Sequence, residues 1–388
     1  MKPRVLIYST AYYPLVGGAE VAVKEITDRL LEFEFDLITA RLRSDLPSRE
    51  KIGHVNVYRL GWGTRWDKLW LAFLGGRFGR KLHRNHSYQL VWAIMASFGG
   101  LAAQAFKAKE TRVPFLLTLQ EGDDLPEVEE KARLVKSRFS RIFTSANFVQ
   151  CISHYLADWA EKMGATCPIE VVPNGVDFEK VTCLAGRQES EKLPASPAGR
   201  KVKSEKQIGE KIIITTSRLV KKNGLDDLIK SLNYLDKNIK LWILGMGPAE
   251  DNLKKLANDL QLTERVKFFG FVPNPHLFSY LKEADIFIRP SLSEGLGNSF
   301  LEAMAVSLPT MGTPVGGIPD FLKEGETGWL VPVHDPVAIA AKVRYLLDPV
   351  NYDRVKTVSE QGQKLVSAKY DWPIIAVKMS QIFSQLIK

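Results

Sequence analysis

The segment at residues 286–305, IFIRPSLSEGLGNSFLEAMA, decides the fold of the second half of the chain. An apolar run at 286–290 leads into a turn with two glycines, and a segment of helical periodicity then begins near Asn298 or Ser299. A strand, a turn and a helix in this order form part of a βαβ unit, and the first N–H groups of a helix have no partner within the helix. The start of this helix is therefore predicted to bind an anion such as a diphosphate.

Two glutamates flank this predicted helix start. Glu302 lies one turn inside the helix among apolar residues, where a carboxylate needs a partner because burying it alone is costly. The vicinal hydroxyls of a ribose could donate two hydrogen bonds to it. Glu294 precedes the helix, and we expect it to face another part of the same ligand, such as the hydroxyls of a sugar. The spacing alone would also suit two unrelated surface glutamates, but the strand, turn and helix favour a functional site.

Short apolar runs alternate with amphipathic segments on both sides of this segment, which is typical of βαβ units and parallel sheets. Strands are predicted in the first half at 4–9, 36–40, 55–60, 90–96, 115–118, 148–152 and 170–172, and in the second half at 212–217, 240–244, 266–269, 286–290, 310–312 and 329–331. Each half is thus predicted to be a doubly wound α/β domain. Ligands are expected beyond the carboxyl ends of the strands, in a cleft that the two domains face.

The length of 388 residues also favours two domains, since a typical domain has about 150 residues. Residues 184–211 contain almost no large apolar side chains and carry prolines and glycines, so they are predicted to link the domains. The predicted domains are therefore 1–183 and 212–370, followed by an amphipathic helix at 371–388.

Three features bear on the compartment. The three cysteines, Cys151, Cys167 and Cys183, are an odd number with no close pair, which argues against a disulfide framework or a zinc ribbon and favours a reducing cytoplasm. The apolar run at the start is too short for the core of a signal peptide. Residues 88–106 carry no charge but include polar residues and glycines, so a strand followed by a helix is favoured over a membrane span.

The charge balance favours an anionic partner. The chain has 53 Lys and Arg against 44 Asp and Glu, a net charge of +9, which does not choose among nucleic acid, a membrane and a phosphorylated small molecule. Residues 59–86 hold seven of the basic residues, interleaved with Trp and Phe. This segment fits either a surface that binds a membrane interface or a solvated basic face above a core-facing aromatic stripe.

A glycine pair opens the first predicted helix. In the sequence Gly17-Gly18-Ala19-Glu20, the glycines stand between the first strand and a helix predicted to run through residue 31. Backbone N–H groups in such a loop can meet an anion. Two glycines are also common in a tight turn.

Taken together, these motifs resemble those of family 4 glycosyltransferases, the retaining enzymes with the GT-B fold. The resemblance covers most of the chain and includes SRLV at 217–220, LGMGP at 244–248, the two glutamates separated by seven residues, GTPVGGIP at 312–319, GGAE at 17–20 and VPNGVD at 172–177. It implies two Rossmann-like domains facing a cleft, with the terminal helix at 371–388 crossing back to the first domain.

The resemblance also implies roles for individual residues. Arg218 would pair with the phosphates of a nucleotide diphosphate sugar, and Asn298 and Ser299 would bind the same diphosphate. Glu302 would hold the ribose, and Glu294 would contact the donor sugar.

Glycines carry further roles in the resemblance. Gly245 and Gly247 would allow close backbone approach at a strand end, and Gly17 and Gly18 would close the cleft from the first domain. A dinucleotide-binding loop is disfavoured at Gly245 and Gly247, because Glu250 stands where such a loop would have a glycine.

The chain departs from the family pattern at two places. The family often has a phosphate-binding Lys directly before the glycine where this chain has Asn223, and either Asn223 itself or Lys222, one residue earlier, could take the role of that Lys. The family also often has a His after a strand of the first domain, where this chain has Gln120 and Glu121, either of which could replace that His.

The resulting expectation is a retaining, metal-independent glycosyltransferase that forms an α-linkage and needs no cofactor. Its donor would be a UDP- or GDP-sugar, and its acceptor a glycan or a lipid-linked molecule. We expect a cytoplasmic protein, peripheral to the membrane if 59–86 binds it. The alternatives are a nucleotide-sugar epimerase or hydrolase on the same scaffold, and a protein that binds membranes or nucleic acid through its basic segment.

Overall fold

The structure is a computed structural model that describes residues 2–181, 206–207 and 209–387. The chain divides into two compact units, which we call the first unit (Met1–Gly175 with Trp372–Lys388) and the second unit (Val176–Asp371). The larger part of the predicted linker at 184–211, together with Cys183, lies outside the described residues.

An eight-stranded sheet forms the centre of the first unit. Its strands are β1 (Arg4–Tyr8), β2 (Glu34–Ala40), β3 (Arg49–Ile52), β4 (Val55–Leu60), β5 (Leu90–Ile94), β6 (Phe115–Leu119), β7 (Phe148–Cys151) and β8 (Ile169–Val171). The order across the sheet is β3-β4-β2-β1-β5-β6-β7-β8, and every pair is parallel except β3 with β4. The order reverses at β1, as in a doubly wound sheet.

Seven helices of the first unit surround this sheet. They are α1 (Gly18–Arg29), α2 (Asp67–His86), α3 (Phe98–Lys107), α4 (Leu125–Lys131), α5 (Lys136–Thr144), α6 (His154–Lys162) and the last helix of the chain, α13 (Trp372–Leu386). Although α13 follows the second unit in the sequence, its apolar face packs in the core of the first unit. Ile375, Met379 and Ile382 lie there with Phe35 and Trp92.

A six-stranded parallel sheet forms the centre of the second unit. Its strands are β9 (Lys211–Thr216), β10 (Ile239–Leu244), β11 (Val266–Gly270), β12 (Ile286–Arg289), β13 (Thr310–Gly312) and β14 (Trp329–Leu330). The α-helices from residue 211 onward in this unit are α7 (Leu225–Ser231), α8 (Glu250–Asp259), α9 (Asn274–Glu283), α10 (Asn298–Ala305), α11 (Pro336–Leu347) and α12 (Tyr352–Lys369). The strand order β11-β10-β9-β12-β13-β14 again reverses next to the first strand, so β9 and β12 lie side by side at the centre.

The structure confirms all thirteen predicted strands to within two residues at each end. It also contains β3, which the sequence analysis missed. This strand has the sequence Arg49-Glu50-Lys51-Ile52 and alternates between exposed and half-buried residues. A charged strand at the edge of a sheet has no apolar run to reveal it.

Candidate active site

A buried arginine organises the loop that follows β12. Arg289 is the last residue of this strand and is only 6% exposed. Its Nη1 donates to Ser299 Oγ at 2.7 Å, its Nε donates to Ser291 Oγ at 3.1 Å, and its Nη2 forms an ion pair with the carboxylate of Glu294. One guanidinium therefore fixes both the loop and the start of α10. The sequence analysis missed Arg289, although a cation at the end of a buried strand requires such partners.

Glycine is required where this loop turns into α10. Gly297 precedes the helix with a φ of +99°, in the left-handed region that favours glycine. A Cβ atom there would lie 2.7 Å from the ring of Phe300 and 3.1 Å from Nη2 of Arg289, whose guanidinium stacks over the same ring at 4.7 Å. The predicted helix start is thus confirmed at Asn298, with an arginine packed beneath it.

The sequence did not reveal that Ser299 forms a hydrogen bond with Arg289. Its hydroxyl accepts the N–H of Arg289, but a hydroxyl that accepts one hydrogen bond can still donate its own proton. The group therefore has one proton to offer an anion at the positive end of α10.

Glu302 lies in α10, one turn beyond Ser299. Desolvation by the surrounding protein raises the pKa of its carboxyl group to about 7, and the charge of Arg289 opposes this shift more weakly. The residue nevertheless keeps intermediate exposure. A group that is closely surrounded and still reached by solvent lies in a concave part of the surface, as a ligand-binding carboxylate should.

The backbone of Glu294 is held by the loop after β13. Gly317 donates its N–H to the carbonyl of Glu294 at 3.1 Å, and a Cβ atom on Gly316 would lie 1.8 Å from that oxygen. The glycines at 316 and 317 therefore bring a third strand end against Glu294. The close approach at Gly316 explains why this position of the motif at 312–319 needs a residue without a side chain.

The loop after β9 carries the two predicted phosphate-binding cations. Arg218 is exposed and Lys222 is half-buried. Asn223 is only 4% exposed, and its Nδ2 donates to the carbonyl of Arg218 at 2.6 Å, so it braces the loop from inside. The carbonyl of Lys222 accepts the N–H of Leu292 at 2.6 Å, which ties this loop to the one that carries Glu294.

Gly245 and Gly247 pack against the same loop. A Cβ atom on Gly245 would lie 1.8 Å from the carbonyl oxygen of Ser217, and one on Gly247 would lie 2.4 Å from that of Leu219. Both glycines thus permit close approach of the protein backbone at a strand end, and their role toward a ligand stays a prediction. The backbone that approaches them belongs to the loop of Arg218, so they hold that residue in place.

The glycine pair of the first unit is arranged differently. The helix begins at Gly18, and the N–H of Gly17 donates to the Glu20 carboxylate at 2.7 Å. This amide, which could have met an anion, is thus satisfied inside the protein by the third residue of the helix.

Gln120 and Glu121 follow β6 in the first unit and differ in exposure. Gln120 is half-buried and accepts a hydrogen bond from Asn174 at 3.3 Å, whereas Glu121 is only 3% exposed. The two candidates for the place of the family His are therefore a polar side chain near the surface and a carboxyl group beneath it.

The basic segment at 59–86 divides into an inner and an outer face. Arg59 is buried and paired with Glu50, and the small and apolar residues of α2 face α3. Of the five aromatic residues that the second interpretation placed on a core-facing stripe, four instead lie outside, whereas Phe78 is half-buried against Tyr58. We define the aromatic patch as Trp62, Trp66, Trp70 and Phe73, of which Trp62 and Phe73 are each 67% exposed.

Two family models match successive parts of the chain. "Glycosyltransferase Family 4" matches residues 16–180, and "Glycosyl transferases group 1" matches residues 200–364. With these two matches and its two α/β units, the chain is a glycosyltransferase with the GT-B fold. The chain belongs to glycosyltransferase family 4.

Two curated relatives illustrate the sequence likeness. The putative colanic acid biosynthesis glycosyltransferase WcaL of Salmonella typhimurium is 27% identical over 76% of this chain and 70% of its own. A GDP-mannose-dependent alpha-(1-6)-phosphatidylinositol monomannoside mannosyltransferase of Mycobacterium tuberculosis is 27% identical over 78% of this chain and 77% of its own.

Solved structures share the fold at lower identity. Sucrose-phosphate synthase from Thermosynechococcus elongatus matches with a TM-score of 0.81 and 21% identity, covering 100% of this chain and 99% of its own. HepE from Anabaena, solved with UDP-glucose, matches with a TM-score of 0.74 and 16% identity over 98% and 99% of the two chains.

Proposed function

We propose that this glycosyltransferase moves a sugar from a nucleotide diphosphate sugar to a hydroxyl group of a glycan or a lipid-linked acceptor. We further propose that it retains the anomeric configuration, forms an α-linkage and works without a metal ion. The observation that carries this proposal is the buried Arg289, which holds Glu294 and Ser299 around the start of α10. The names of the relatives support it, since one uses GDP-mannose and another was solved with UDP-glucose.

Departure of the diphosphate is the step that needs most stabilisation, because negative charge collects on the leaving group. Arg218 and Lys222 supply positive charge from the loop after β9, and Asn298 and Ser299 supply N–H and hydroxyl groups at the positive end of α10. We propose that these four residues hold the diphosphate. Their combined charge and dipoles are the reason for proposing that no metal ion is required.

The two glutamates act on the sugars at either end of the donor. The carboxylate of Glu302 accepts the hydroxyls of the ribose in its concave site, and Glu294, fixed by Arg289, contacts the transferred sugar. Gly245 and Gly247 keep the loop of Arg218 in place, and Gly17 and Gly18 are proposed to contact the donor from the first unit. The donor is a substrate, with UDP- and GDP-sugars the first choices, and we propose no cofactor.

A ligand screen followed by a transfer assay tests this function. Thermal shifts with UDP-, GDP- and ADP-sugars should single out one donor, because a ligand that binds only the folded state raises its stability. Incubation with soluble and lipid-linked acceptors should then give a glycosylated product whose anomeric configuration is read by NMR. Conversion or hydrolysis of the donor without any acceptor, and no transfer when acceptors are present, would favour the epimerase or hydrolase instead.

We also propose that residues 59–86 bring the enzyme to an anionic membrane surface. The aromatic patch is exposed to solvent, and the same segment carries four exposed cations, Arg65, Arg77, Lys81 and Arg84. Trp and Phe side chains partition into the bilayer interface, and each nearby cation adds about 1 kcal/mol of attraction to anionic lipid. No helix in the described part of the chain is both long and apolar enough to cross a membrane. A cytoplasmic protein held peripherally at the membrane fits this proposal.

Vesicle sedimentation tests the membrane contact. The wild-type protein should bind phosphatidylglycerol-containing vesicles, bind pure phosphatidylcholine weakly, and lose binding as salt is raised. A Trp66→Ala and Phe73→Ala double variant should bind at least tenfold more weakly. Phe271→Ala, which removes an exposed aromatic side chain from the second unit, is the matched control. Equal binding by the double variant and the control would contradict the contact.

A further inference from the structure

The carboxyl end of the sheet in the first unit holds a buried acid that the proposed mechanism does not use. Glu121 lies two residues beyond β6 and is 3% exposed. Its Oε1 accepts the N–H of Ala96 at 2.6 Å, which joins the loop after β6 to the turn after β5. Its Oε2 is buried and has no hydrogen-bond partner. A buried polar atom without a partner is rare enough in native proteins to require an explanation.

Protonation lowers the cost of burying this unpartnered oxygen, because a neutral carboxyl group loses less hydration than a carboxylate. Burial raises the pKa of Glu121 to about 7, backbone N–H groups oppose this shift, and the negative charge of Asp123 adds to it. From the neighbouring strand β7 the buried thiol of Cys151 also faces this carboxyl group, and the pKa of that thiol is raised as well. The structure thus brings two acidic groups close to Glu121, and no cation in the described part of the chain forms an ion pair with it.

We call the hydrogen bond between Ala96 and Glu121 the joint. Neutral side chains that form hydrogen bonds cluster around it. Ala96 leads directly into Ser97, whose hydroxyl lies 3.0 Å from that of Thr10 beyond β1. Gln120, next to Glu121, bonds to Asn174 beyond β8. Four strand ends therefore contribute hydroxyl and amide groups that both donate and accept hydrogen bonds, which is the chemistry needed to bind the hydroxyls of a sugar.

We propose that Glu121 is a positioning residue for a carbohydrate site in the first unit. Its neutral carboxyl group joins the turn at Ala96 to the loop of Gln120 and so sets the spacing of Ser97 and Gln120, which bind the hydroxyls of the acceptor. The inference rests on the proposed function, because it assigns the acceptor to this cluster. When Glu121 ionises, its charge has no counterion, so the hydrogen bond to Ala96 breaks and water reaches the carboxylate.

Two substitutions separate positioning from simple packing. Glu121→Gln keeps an oxygen that accepts the N–H of Ala96 and resembles the neutral acid, whereas Glu121→Leu removes the acceptor. Glu127→Gln, at an exposed glutamate of α4, is the matched control. With hexyl glycosides as acceptor probes and the donor found by the thermal-shift screen, Glu121→Leu should lower kcat/KM for the acceptor at least tenfold. The KM for the donor should change less than threefold.

The pH profile gives the second readout. Glu121→Gln should keep kcat/KM for the acceptor within threefold of the wild-type value at pH 6 and should lose less activity than the wild type between pH 6 and 8. Equal acceptor kinetics for Glu121→Leu and the control, or superimposed pH profiles for the wild type and Glu121→Gln, would overturn the proposal.

Hydrogen exchange tests the joint without any substrate. Amides at 95–99 should exchange faster in the wild type than in Glu121→Gln at pH 8, and at equal rates at pH 6. Equal rates at both pH values would overturn the proposal even if the enzyme proves active. Absence of transfer by the wild type, together with the expected exchange difference, would instead refute the proposed function and leave the joint established.

Discussion

Each of the two sheets has a carboxyl group of low exposure beyond the end of one of its strands, but the two groups are neutralised in different ways. In the second unit, Glu294 is paired with the buried guanidinium of Arg289. In the first unit, Glu121 meets backbone N–H groups and has no ion-pair partner among the described residues, and burial raises its pKa to about 7. Fixed charges of this kind suit a charged ligand such as a diphosphate, whereas a neutral acid among hydroxyls and amides suits a sugar.

The largest expected effect comes from removing the cation of the second unit. Arg289→Met leaves the half-buried Glu294 without a counterion and Ser299 without its donor, and breaking a buried ion pair typically costs about 3–5 kcal/mol. We expect the second unit to lose stability by that amount and kcat/KM to fall at least a hundredfold. Denaturant unfolding and transfer assays measure the two effects.

A double variant separates stability from catalysis in the same region. Arg289→Met combined with Glu294→Gln removes both charges, so it should recover most of the lost stability and none of the activity. Wild-type kcat/KM in the single variant would show that Arg289 does not organise the site.

Removing the proposed ribose ligand should have the next largest effect. Glu302→Ala should raise the donor KM about thirtyfold to a hundredfold, because hydrogen bonds to a charged acceptor contribute about 1.5–3 kcal/mol each. Since its pKa lies at about 7, wild-type affinity for the donor should rise as the pH increases through 7, and Glu302→Gln should lack this rise. Glu326→Ala, at an exposed glutamate, serves as the control. Equal donor KM values for Glu302→Ala and the control would remove Glu302 from the site.

The neutral acid of the first unit predicts a pH-dependent stability. The folded-state pKa of Glu121 exceeds its ordinary value of 4.5, so the unfolded chain ionises first and the first unit loses stability as the pH rises from 4.5 to 7. One pKa unit corresponds to about 1.4 kcal/mol, so a rise of the pKa from 4.5 to about 7 should make Glu121→Gln more stable than the wild type at pH 8 by about 3 kcal/mol. Urea unfolding at pH 5 and 8 checks this. An unchanged pH dependence in the variant would show that Glu121 is already ionised.

The smallest expected effect is at the phosphate-binding loop. Lys222→Ala should raise the donor KM about threefold to tenfold, whereas Lys221→Ala, at its more exposed neighbour, should change it less than twofold. The difference should shrink in high salt, because exposed charges are screened. Equal effects of the two substitutions would show that the loop attracts the donor only through its overall charge.

The sequence predicted the strands because each is an apolar run of neighbouring residues, which can be recognised without knowing what the run packs against. It predicted the start of α10 for the same reason, since the glycines and Asn298 are neighbours in the chain. The sequence analysis did not predict β3, because its charged residues form no apolar run. Asn223 was weighed as a phosphate ligand, and only the structure shows it buried against the carbonyl of Arg218.

By itself, the sequence determined the two α/β units, the family, and the placing of Glu294 and Glu302 around a helix start. The tertiary structure decided how each acid is neutralised and which face of α2 is exposed. These properties depend on atoms far apart in the chain: Arg289 reaches Ser299 across ten positions, and Glu121 reaches Ala96 across twenty-five. Burial and pairing at such distances arise only when the strand ends come together, so no local pattern could have encoded them.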